Sequence, residues 1–303
     1  MVFNYGTFDF STPNFYLKFA QGKLKYMLSI QQFDGFLIDF KAENRSLTEQ
    51  VLNLDLDQRR KLFAMLLENY KPENRYYKYD FFFDNCATRI RDIMMVAFGD
   101  DFKYNFPDDW HEGRLTFRNL IDLYLTDHHW SDFGIDIALG LPTDRVATPM
   151  DYMFLPDYLS EGFGLAKINS SGKQVSLVSS KAEILSRQDI APKVFFITPV
   201  RLMWTLFVVF GILSWAGLKG NINISWLDKL YFSIIGLVGW IVFLLWFFTD
   251  HIATKNNLNL LWAVPVYFPM FLLWGKLHAG TKKVIFMVFG GIDALILLLW
   301  WIW

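Results

Sequence analysis

The sequence predicts two domains in series: an α+β soluble domain over residues 1–190 and an all-α transmembrane bundle over residues 191–303. Two observations support this prediction. Four apolar runs are crowded into the last third of the chain, whereas the first two thirds mix short extended patterns with amphipathic helical ones. Mixed strands and helices are typical of α+β domains, and closely spaced runs of span length are typical of helical membrane domains.

The composition favours a membrane protein and excludes a nucleic-acid partner. Hydrophobic residues make up 53% of the 303 residues and aromatic residues 18%, and the mean hydropathy is +0.22. The formal net charge is −1, from 29 basic and 30 acidic residues. Because nucleic-acid binding depends on a basic surface, we expect no nucleic-acid partner.

The four apolar runs predict four spans. Each run has 17 to 20 residues, enough to cross a hydrocarbon core of about 30 Å with some mismatch. The loops after the first and third runs hold most of the lysines, whereas the 249–257 loop holds only Lys255. The positive-inside rule therefore places those two loops in the cytoplasm and the soluble domain on the outer face. The spans are expected at about 202–218, 230–248, 258–275 and 284–303.

Strand patterns dominate the beginning of the soluble domain. Phe15, Leu17 and Phe19 occupy alternate positions, and residues 36–40 form a compact apolar run. Both segments are therefore predicted as strands. Residues 166–185 are predicted as a strand pair that turns at Ser170, Ser171 and Gly172.

Helix-start signals follow. Ser46 with Glu49 and Asp55 with Gln58 both have spacing close to that of a capping box. The second pair is expected to open an amphipathic helix, and another is predicted over residues 115–125. Residues 186–198 are expected to form the linker into the membrane. The inward face of the first helix is predicted to consist of Leu62, Phe63, Leu66, Leu67 and Tyr70.

The single cysteine lies at a predicted helix start. An aromatic run leads into Asp84 and Asn85, both good N-cap residues, and apolar residues at helical spacing follow. Cys86 therefore falls in the first turn, where unpaired N–H groups and the helix dipole lower a thiol pKa. Papain-like nucleophiles occupy this kind of position. The alternative is a buried structural cysteine, and no intrachain disulfide can form.

A thiol nucleophile also needs a base, normally a histidine held by a third group. His278 falls on the predicted cytoplasmic side. None of the remaining histidines lies on a recognisable strand that would present it to a thiol, so the sequence offers a nucleophile without an identified base. These histidines are His111, His128, His129 and His251.

Two polar features stand out in the membrane half. Asp293 lies in the middle of the fourth run, where an ionised carboxylate costs several kcal/mol unless it is paired or neutral. It is either a functional group of the bundle or a protonated carboxyl bonded to a neighbouring helix. Residues 249–259 form a polar cluster at the predicted outer membrane surface, and their spacing alone favours a solvated hairpin loop.

Six segments of the chain resemble the Lnb-type lipoprotein N-acyltransferases of bacteria. The most specific is the block from Asp84 to Arg89, with the sequence Asp-Asn-Cys-Ala-Thr-Arg. The family's C-terminal part is a multi-helix membrane domain, so the resemblance spans nearly the whole chain. The segments are 3–10, 13–19, 74–80, 82–89, 133–140 and 153–159.

The resemblance implies that the soluble domain has a permuted papain/NlpC-like thiol fold. In that fold the catalytic histidine lies in a Gly-His-type strand shortly before the segment that matches Asn4-Tyr5-Gly6. The histidine is therefore expected before Met1, in a chain truncated at its N-terminus, and without that histidine this chain is expected to be inactive. The family's membrane domain has five spans against four here, so the C-terminus is expected to be short as well.

The resemblance also implies an activity, the transfer of an acyl chain to the α-amino group of a lipoprotein's lipidated N-terminal cysteine. Cys86 would be the nucleophile, with Asn85 and Arg89 in support. The partners would be a lipid acyl donor and the lipoprotein, in the inner membrane with the soluble domain in the periplasm. No cofactor or metal is expected. Head-group binding would fall to His251, Asn257 and Asn259.

Two other functions stay open at this point. A membrane-anchored NlpC-type cell-wall amidase or peptidase would use the same thiol, but it predicts a polar groove and needs no residue of the bundle. A non-catalytic membrane-anchored binding protein would need no base at all.

Overall fold

The computed structural model describes residues 1–111, 115–188, 196–220 and 222–299. Its contacts divide the chain into two compact units. The N-terminal unit comprises Met1–Leu120 and Arg145–Pro192, and the C-terminal unit comprises Ile121–Asp144 and Lys193–Trp303. Most of the predicted linker, at 189–195, lies outside the described residues.

The N-terminal unit is built from three small antiparallel sheets and the helices around them. The sheet orders are β1-β2-β4, β3-β8 and β5-β6-β7. The strands are β1 Val2–Phe8, β2 Lys25–Gln31, β3 Leu47–Leu52, β4 Tyr76–Lys78, β5 Phe102–Lys103, β6 Lys167–Ser170, β7 Lys173–Ser176 and β8 Val178–Leu185. The helices are α1 Phe15–Ala20, α2 Phe33–Ala42, α3 Leu56–Tyr70, α4 Cys86–Phe98, α5 Phe117–Leu125 (which ends in the C-terminal unit), α7 Pro149–Tyr152 and α8 Pro156–Leu165.

Helix α4 lies between two hydrophobic cores. The larger core contains Ala97, Met153, Ile168 and Leu177, all fully buried, and most of the apolar face of α4 packs into it. The smaller core contains Tyr5, Leu28 and Tyr77 from the β1-β2-β4 sheet, and Cys86 packs against it. The start of α4 is therefore held between these two cores.

Three predictions of local structure are wrong. Residues 15–19 and 36–40 are helical, in α1 and α2, and the rings of Phe36 and Phe40 meet at 4.2 Å, which is the i,i+4 spacing of a helix. Five-residue apolar patterns fit either structure, so neighbouring packing decides between them. The Ser46–Glu49 spacing opens no helix, because β3 pairs with β8 over this stretch.

Other local predictions are confirmed. Asp55 accepts a hydrogen bond from Gln58 N at 2.9 Å while the Gln58 side chain accepts one from Asp55 N, so the capping box opens α3. Helix α5 covers most of 115–125. Strands β6 and β7 turn at Ser171 and Gly172, whose φ angles of 53° and 79° are left-handed.

The C-terminal unit contains α6 His129–Ala138, α9 Pro199–Leu218, α10 Ser225–Phe247, α11 Tyr267–Leu272 and α12 Ala279–Leu299. Within the described part of the chain, two helices, α9 and α10, are long and apolar enough to cross a membrane, with mean hydropathies of 1.6 and 2.3. The number of four spans is therefore not confirmed. The side chain of Asp293 and residues 300–303 lie outside what the structure describes.

The predicted span over 258–275 is not one helix. The chain forms 3-10 turns at Leu258–Leu261 and Trp274–Lys276 with α11 between them. Pro265 and Pro269 each lack the N–H that a continuous helix would use. The segment instead packs closely on α10: a Cβ added at Gly236 would lie 2.1 Å from Phe268 N, and one at Gly239 would lie 2.0 Å from Ala263 O.

Candidate active site

Cys86 is the first residue of α4, and Asn85 caps that helix. The Asn85 Oδ1 accepts hydrogen bonds from the N–H groups of Ala87 at 2.8 Å and Thr88 at 2.9 Å. In return, the Thr88 hydroxyl accepts one from the Asn85 N–H at 2.8 Å. This reciprocal capping box fixes the backbone on both sides of the cysteine.

The amide nitrogen of Asn85 ties the helix start to two other segments. Its Nδ2 donates to the carbonyl oxygens of Phe81, at 2.8 Å, and Phe154, at 2.9 Å. Asn85 is buried, and both its donors and its acceptor are used within the unit. Its support of the site is therefore structural: it places the thiol and has no group left for a substrate.

The loop from Asp80 to Asp84, directly before Asn85, is a tight turn. The backbones of Asp80 and Asp84 pair through two hydrogen bonds of 3.0 and 3.1 Å, and Asp80 Oδ1 accepts from the N–H groups of Phe82 and Phe83. The Phe82 ring turns inward, 5.1 Å from the ring of Phe117. The aromatic run before the cysteine is thus a turn anchored by one buried ring.

Arg89 braces the same helix one turn after Cys86. Its guanidinium forms a two-pronged ion pair with Asp84, with Nη2 2.6 Å from Oδ2 and Nε bonded to Oδ1. It also lies over the ring of Tyr77, 4.3 Å from the centroid. The Tyr77 hydroxyl donates in turn to the carbonyl oxygen of Tyr5 on β1. Arg89 therefore connects the cap loop to the strand that faces the cysteine.

Strand β1 approaches Cys86 at a bulge. The pairing of β1 with β2 shifts between Asn4 and Thr7, and Asn4 Oδ1 accepts from the Gly6 N–H at 2.9 Å. A Cβ added at Gly6 would lie 3.7 Å from the Cβ of Cys86. Bulges commonly re-aim strands beside active sites, and this one brings bare backbone next to the thiol.

Two tyrosines complete the surroundings of the thiol. The rings of Tyr26 and Tyr79 stack at 4.0 Å and pack against the same small core as Cys86. Burial, and secondarily the nearby Cys86 sulfur, raises the pKa of both phenols. Both therefore stay protonated at neutral pH.

The predicted lowering of the Cys86 pKa is wrong. Burial raises the pKa of this thiol above its ordinary value, and that effect outweighs the opposing hydrogen bonds from the N–H groups of Ala87 and Cys86 and the charge of Arg45. A helix start lowers a thiol pKa and burial in apolar surroundings raises it, and at Cys86 burial is the larger effect. Cys86 therefore needs a base to become a nucleophile.

The N-terminal unit contains one histidine, His111, and the structure pairs it with other groups of that unit. His111 Nε2 lies 3.4 Å from Glu161 Oε2, and its ring stacks on Tyr152 at 4.9 Å.

The three residues predicted to bind a head group lie in the C-terminal unit. Asn257 is fully buried, and its Nδ2 donates to the carbonyl oxygen of Ile137 at 2.8 Å. Asn259 donates to the same oxygen at 3.1 Å and accepts from Trp262 Nε1 at 2.9 Å. Both asparagines therefore bond to the C-terminal end of α6. His251 precedes the 3-10 turn Ile252–Thr254 and is half-buried.

The polar loop also packs on Gly140. The Gly140 N–H donates to the Ala253 carbonyl at 2.8 Å, and a Cβ added there would lie 1.8 Å from the carbonyl oxygen of Lys255. Lys255 bonds through its ammonium to the carbonyls of Trp246 and Thr249 at the end of α10. This loop is therefore an ordered joint between α6 and α10, and the expectation of a merely solvated hairpin is wrong.

Sequence patterns missed the residues that surround the thiol. They are Gly6 on β1, Tyr26 on β2, Tyr77 on β4 and Tyr79 just after β4, and strand pairing brings them together. The family resemblance had singled out two of the segments involved, 3–10 around Gly6 and 74–80 with Tyr77 and Tyr79, without assigning a role to these residues.

Two family models match the chain. The model of the Lnb N-terminal periplasmic domain matches residues 1–118, and the model of the Lnb transmembrane domain matches residues 191–303. Together they cover more than half of the chain, in the order that the sequence predicted. The chain belongs to the Lnb family. It is therefore a membrane protein with a periplasmic and a transmembrane domain, and the resemblance is confirmed. No curated protein and no solved structure matched the chain.

Proposed function

We propose that this Lnb protein is a lipoprotein N-acyltransferase of the inner membrane. It moves an acyl chain from a membrane lipid to the α-amino group of a lipoprotein's lipidated N-terminal cysteine, with Cys86 as the nucleophile. The observation that carries this proposal is the position of Cys86. The chain's single thiol is at the start of a helix whose N-terminus has a reciprocal capping box, within the part that matches the Lnb periplasmic domain.

The chemistry proceeds in two balanced steps. The Cys86 sulfur attacks the carbonyl carbon of a lipid ester, the carbon–oxygen bond breaks, and the thiol proton passes through a base to the departing lipid oxygen. The lipoprotein amine then attacks the thioester, the carbon–sulfur bond breaks, and an amine proton returns to the sulfur. The products are an amide and a lipid that has lost one acyl chain.

Backbone N–H groups are the proposed oxyanion donors. Asn85 Oδ1 accepts hydrogen bonds from the N–H groups of Ala87 and Thr88, and the N–H groups of Ala87 and Cys86 both act on the Cys86 sulfur. The Cys86 N–H is therefore the one beside the sulfur that the cap does not use. We assign the Cys86 N–H to the oxyanion, because it lies at the helix start beside the reacting sulfur. Asn85 and Arg89 act as positioning residues: one fixes the helix start and the other holds β1 against it.

The polar loop has a different role. Asn257 and Asn259 use their side chains on the carbonyl groups of α6 and on Trp262. We therefore propose that both asparagines shape this loop, and head-group binding stays a prediction for His251 alone.

Mass spectrometry of lipoprotein N-termini tests the proposal. In cells where this gene is the sole source of the activity, Cys86→Ala and Cys86→Ser should both abolish N-acylation at normal protein abundance. Asp57→Ala, at an exposed position on α3, is the matched control and should retain it. Persistent N-acylation in both Cys86 variants sinks the proposal, and altered cell-wall fragments with unchanged lipoproteins would support the amidase instead.

A further inference from the structure

An exposed apolar surface lies on the N-terminal unit around α1. This six-residue helix has no buried residue, although four of its six residues are Phe, Tyr or Leu. The exposed fractions are 72% for Phe10, 83% for Tyr16, 56% for Leu17 and 54% for Phe19. Soluble domains rarely leave neighbouring large apolar side chains this open, and such patches mark contacts with proteins or membranes.

The residues of this surface and their neighbours in the chain carry mostly positive charge. Between residues 8 and 25 the chain has three lysines, Lys18, Lys23 and Lys25, and one carboxylate, Asp9. Lys23 and Lys25 are exposed and follow α1 directly, while Lys18 lies on it. We call Phe10, Tyr16, Leu17 and Phe19 together with the three lysines the aromatic–lysine surface. Aromatic rings flanked by lysines are typical of segments that lie in the interface of an anionic membrane.

Ring contacts connect this surface to the thiol. Each ring touches the next, and the last two stack beside Cys86. The order is Phe10, Phe15, Phe8, Tyr26 and Tyr79, with centroid distances of 5.0, 5.5, 5.0 and 4.0 Å.

We propose that the aromatic–lysine surface is a membrane-contact site, in which the rings enter the head-group region and the lysines bind anionic lipid head groups. Charge complementarity selects a lipid surface as the occupant, because lysines around bare rings fit lipid phosphates above acyl chains. The transmembrane domain of the same chain anchors the protein in a membrane, so a lipid surface is always close to the N-terminal unit. One and a half turns are too short to span a bilayer but sufficient to dip into its interface.

The contact with the membrane stands independently of the enzyme assignment. Its link to Cys86 rests on the proposed function: a lipid held at this surface would have its ester near the ring path that ends at the thiol. The experiment below therefore measures lipid contact in a chain that cannot catalyse.

Fluorescence quenching by lipids tests the proposal. The full chain with Cys86→Ser is placed in nanodiscs that contain anionic phospholipid, and single cysteines at Tyr16→Cys or Phe10→Cys carry an environment-sensitive dye. Asp57→Cys is the matched control, because its side chain is 94% exposed on the same unit. The quencher is a phospholipid with a spin label near the head of its acyl chain, and iodide reports exposure to water.

Lipid quenching is expected at positions 16 and 10 and not at 57, with the reverse order for iodide. Replacing Lys18, Lys23 and Lys25 together by Glu should remove most of the lipid quenching. Lipid quenching at 16 and 10 no greater than at 57 overturns the proposal, whether iodide then shows the surface in water or covered by protein. Lipid quenching at 16 and 10 in this chain, together with no lipoprotein acylation by the chain that retains Cys86, would overturn only the enzyme assignment.

Discussion

Two buried asparagines, Asn85 and Asn257, do similar work in very different places. Each accepts a backbone N–H two residues ahead and donates to a carbonyl oxygen far away in sequence. Asn85 fixes the start of a helix whose first residue is the thiol, whereas Asn257 fixes a loop to the end of α6. The two side chains make similar hydrogen bonds, but the groups around them differ.

The difference teaches how to weigh polar clusters in a sequence. A short polar side chain beside a helix end is most often occupied by the backbone, and its polarity by itself indicates no substrate. What separates the two sites is the group that each cap places: a nucleophile beside a bulged strand for Asn85, and the packed backbone around Gly140 for Asn257.

The largest expected effect concerns the reactivity of Cys86. Burial raises its pKa above the ordinary value, so below that pKa alkylation should speed up about tenfold per pH unit, from about pH 6 to beyond pH 8. The purified chain has one thiol, so iodoacetamide labelling followed by mass spectrometry reports this site alone. A plateau already reached below about pH 7 would contradict the raised pKa.

The next largest effect is expected on the stability of the C-terminal unit, where the loop that Asn257 fixes packs on Gly140. In Gly140→Ala the new Cβ would lie 1.8 Å from the Lys255 carbonyl oxygen, and overpacking of this kind costs about 3 kcal/mol. Gly134→Ala on α6 is the matched control: its Cβ meets nothing within 4 Å, and Ala gains about 0.5–1 kcal/mol over Gly within a helix. Denaturation of the detergent-solubilised chain should therefore shift in opposite directions for the two variants, and equal shifts would refute the packing argument.

Replacing Asn85 and Asn257 by alanine, one at a time, tests whether the two caps differ in function. Both Asn85→Ala and Asn257→Ala lose a cap and orphan carbonyl groups, which should lower the free energy of unfolding by about 2 kcal/mol each. Asn85→Ala alone should also change the alkylation rate of Cys86, because it frees the N–H groups of Ala87 and Thr88 beside the sulfur. Identical alkylation rates in both variants would remove the functional distinction between the two caps.

The smallest effect is expected at Arg89. Its side chain and that of Asp84 are each about a third exposed (36% and 37%), so solvent screens much of the pair, and Arg89→Ala should cost about 1 kcal/mol, including the lost contact with Tyr77. Arg60→Ala breaks a largely exposed pair with Asp57 and should cost less than about 0.5 kcal/mol. Chemical denaturation that ranks Arg60 above Arg89 would speak against a bracing role for Arg89.

Local chemistry determined which features could be predicted from sequence. The start of α4, the Asn85 cap, the Asp55 capping box and the β6–β7 turn all depend on residues within four positions of one another. The helices α1 and α2 could not be told from strands over so short a pattern. The raised pKa of Cys86 could not be predicted either, because it depends partly on burial against Tyr5 and Leu28, which come from strands far earlier in the chain.

The close packing of α10 on the broken segment has a consequence for sequence variation. Gly236 and Gly239 work as a pair of notches into which the backbone near Ala263 and Phe268 fits, with separations that leave no room for a methyl group. Gly211 on α9 faces open space, so a methyl group there meets no neighbour. A saturation mutagenesis library should therefore be depleted of every substitution at 236 and 239 while tolerating small ones at 211. This pattern of tolerated and depleted substitutions would identify residues 258–275, which hydropathy alone predicts as a span, as a segment packed closely along α10.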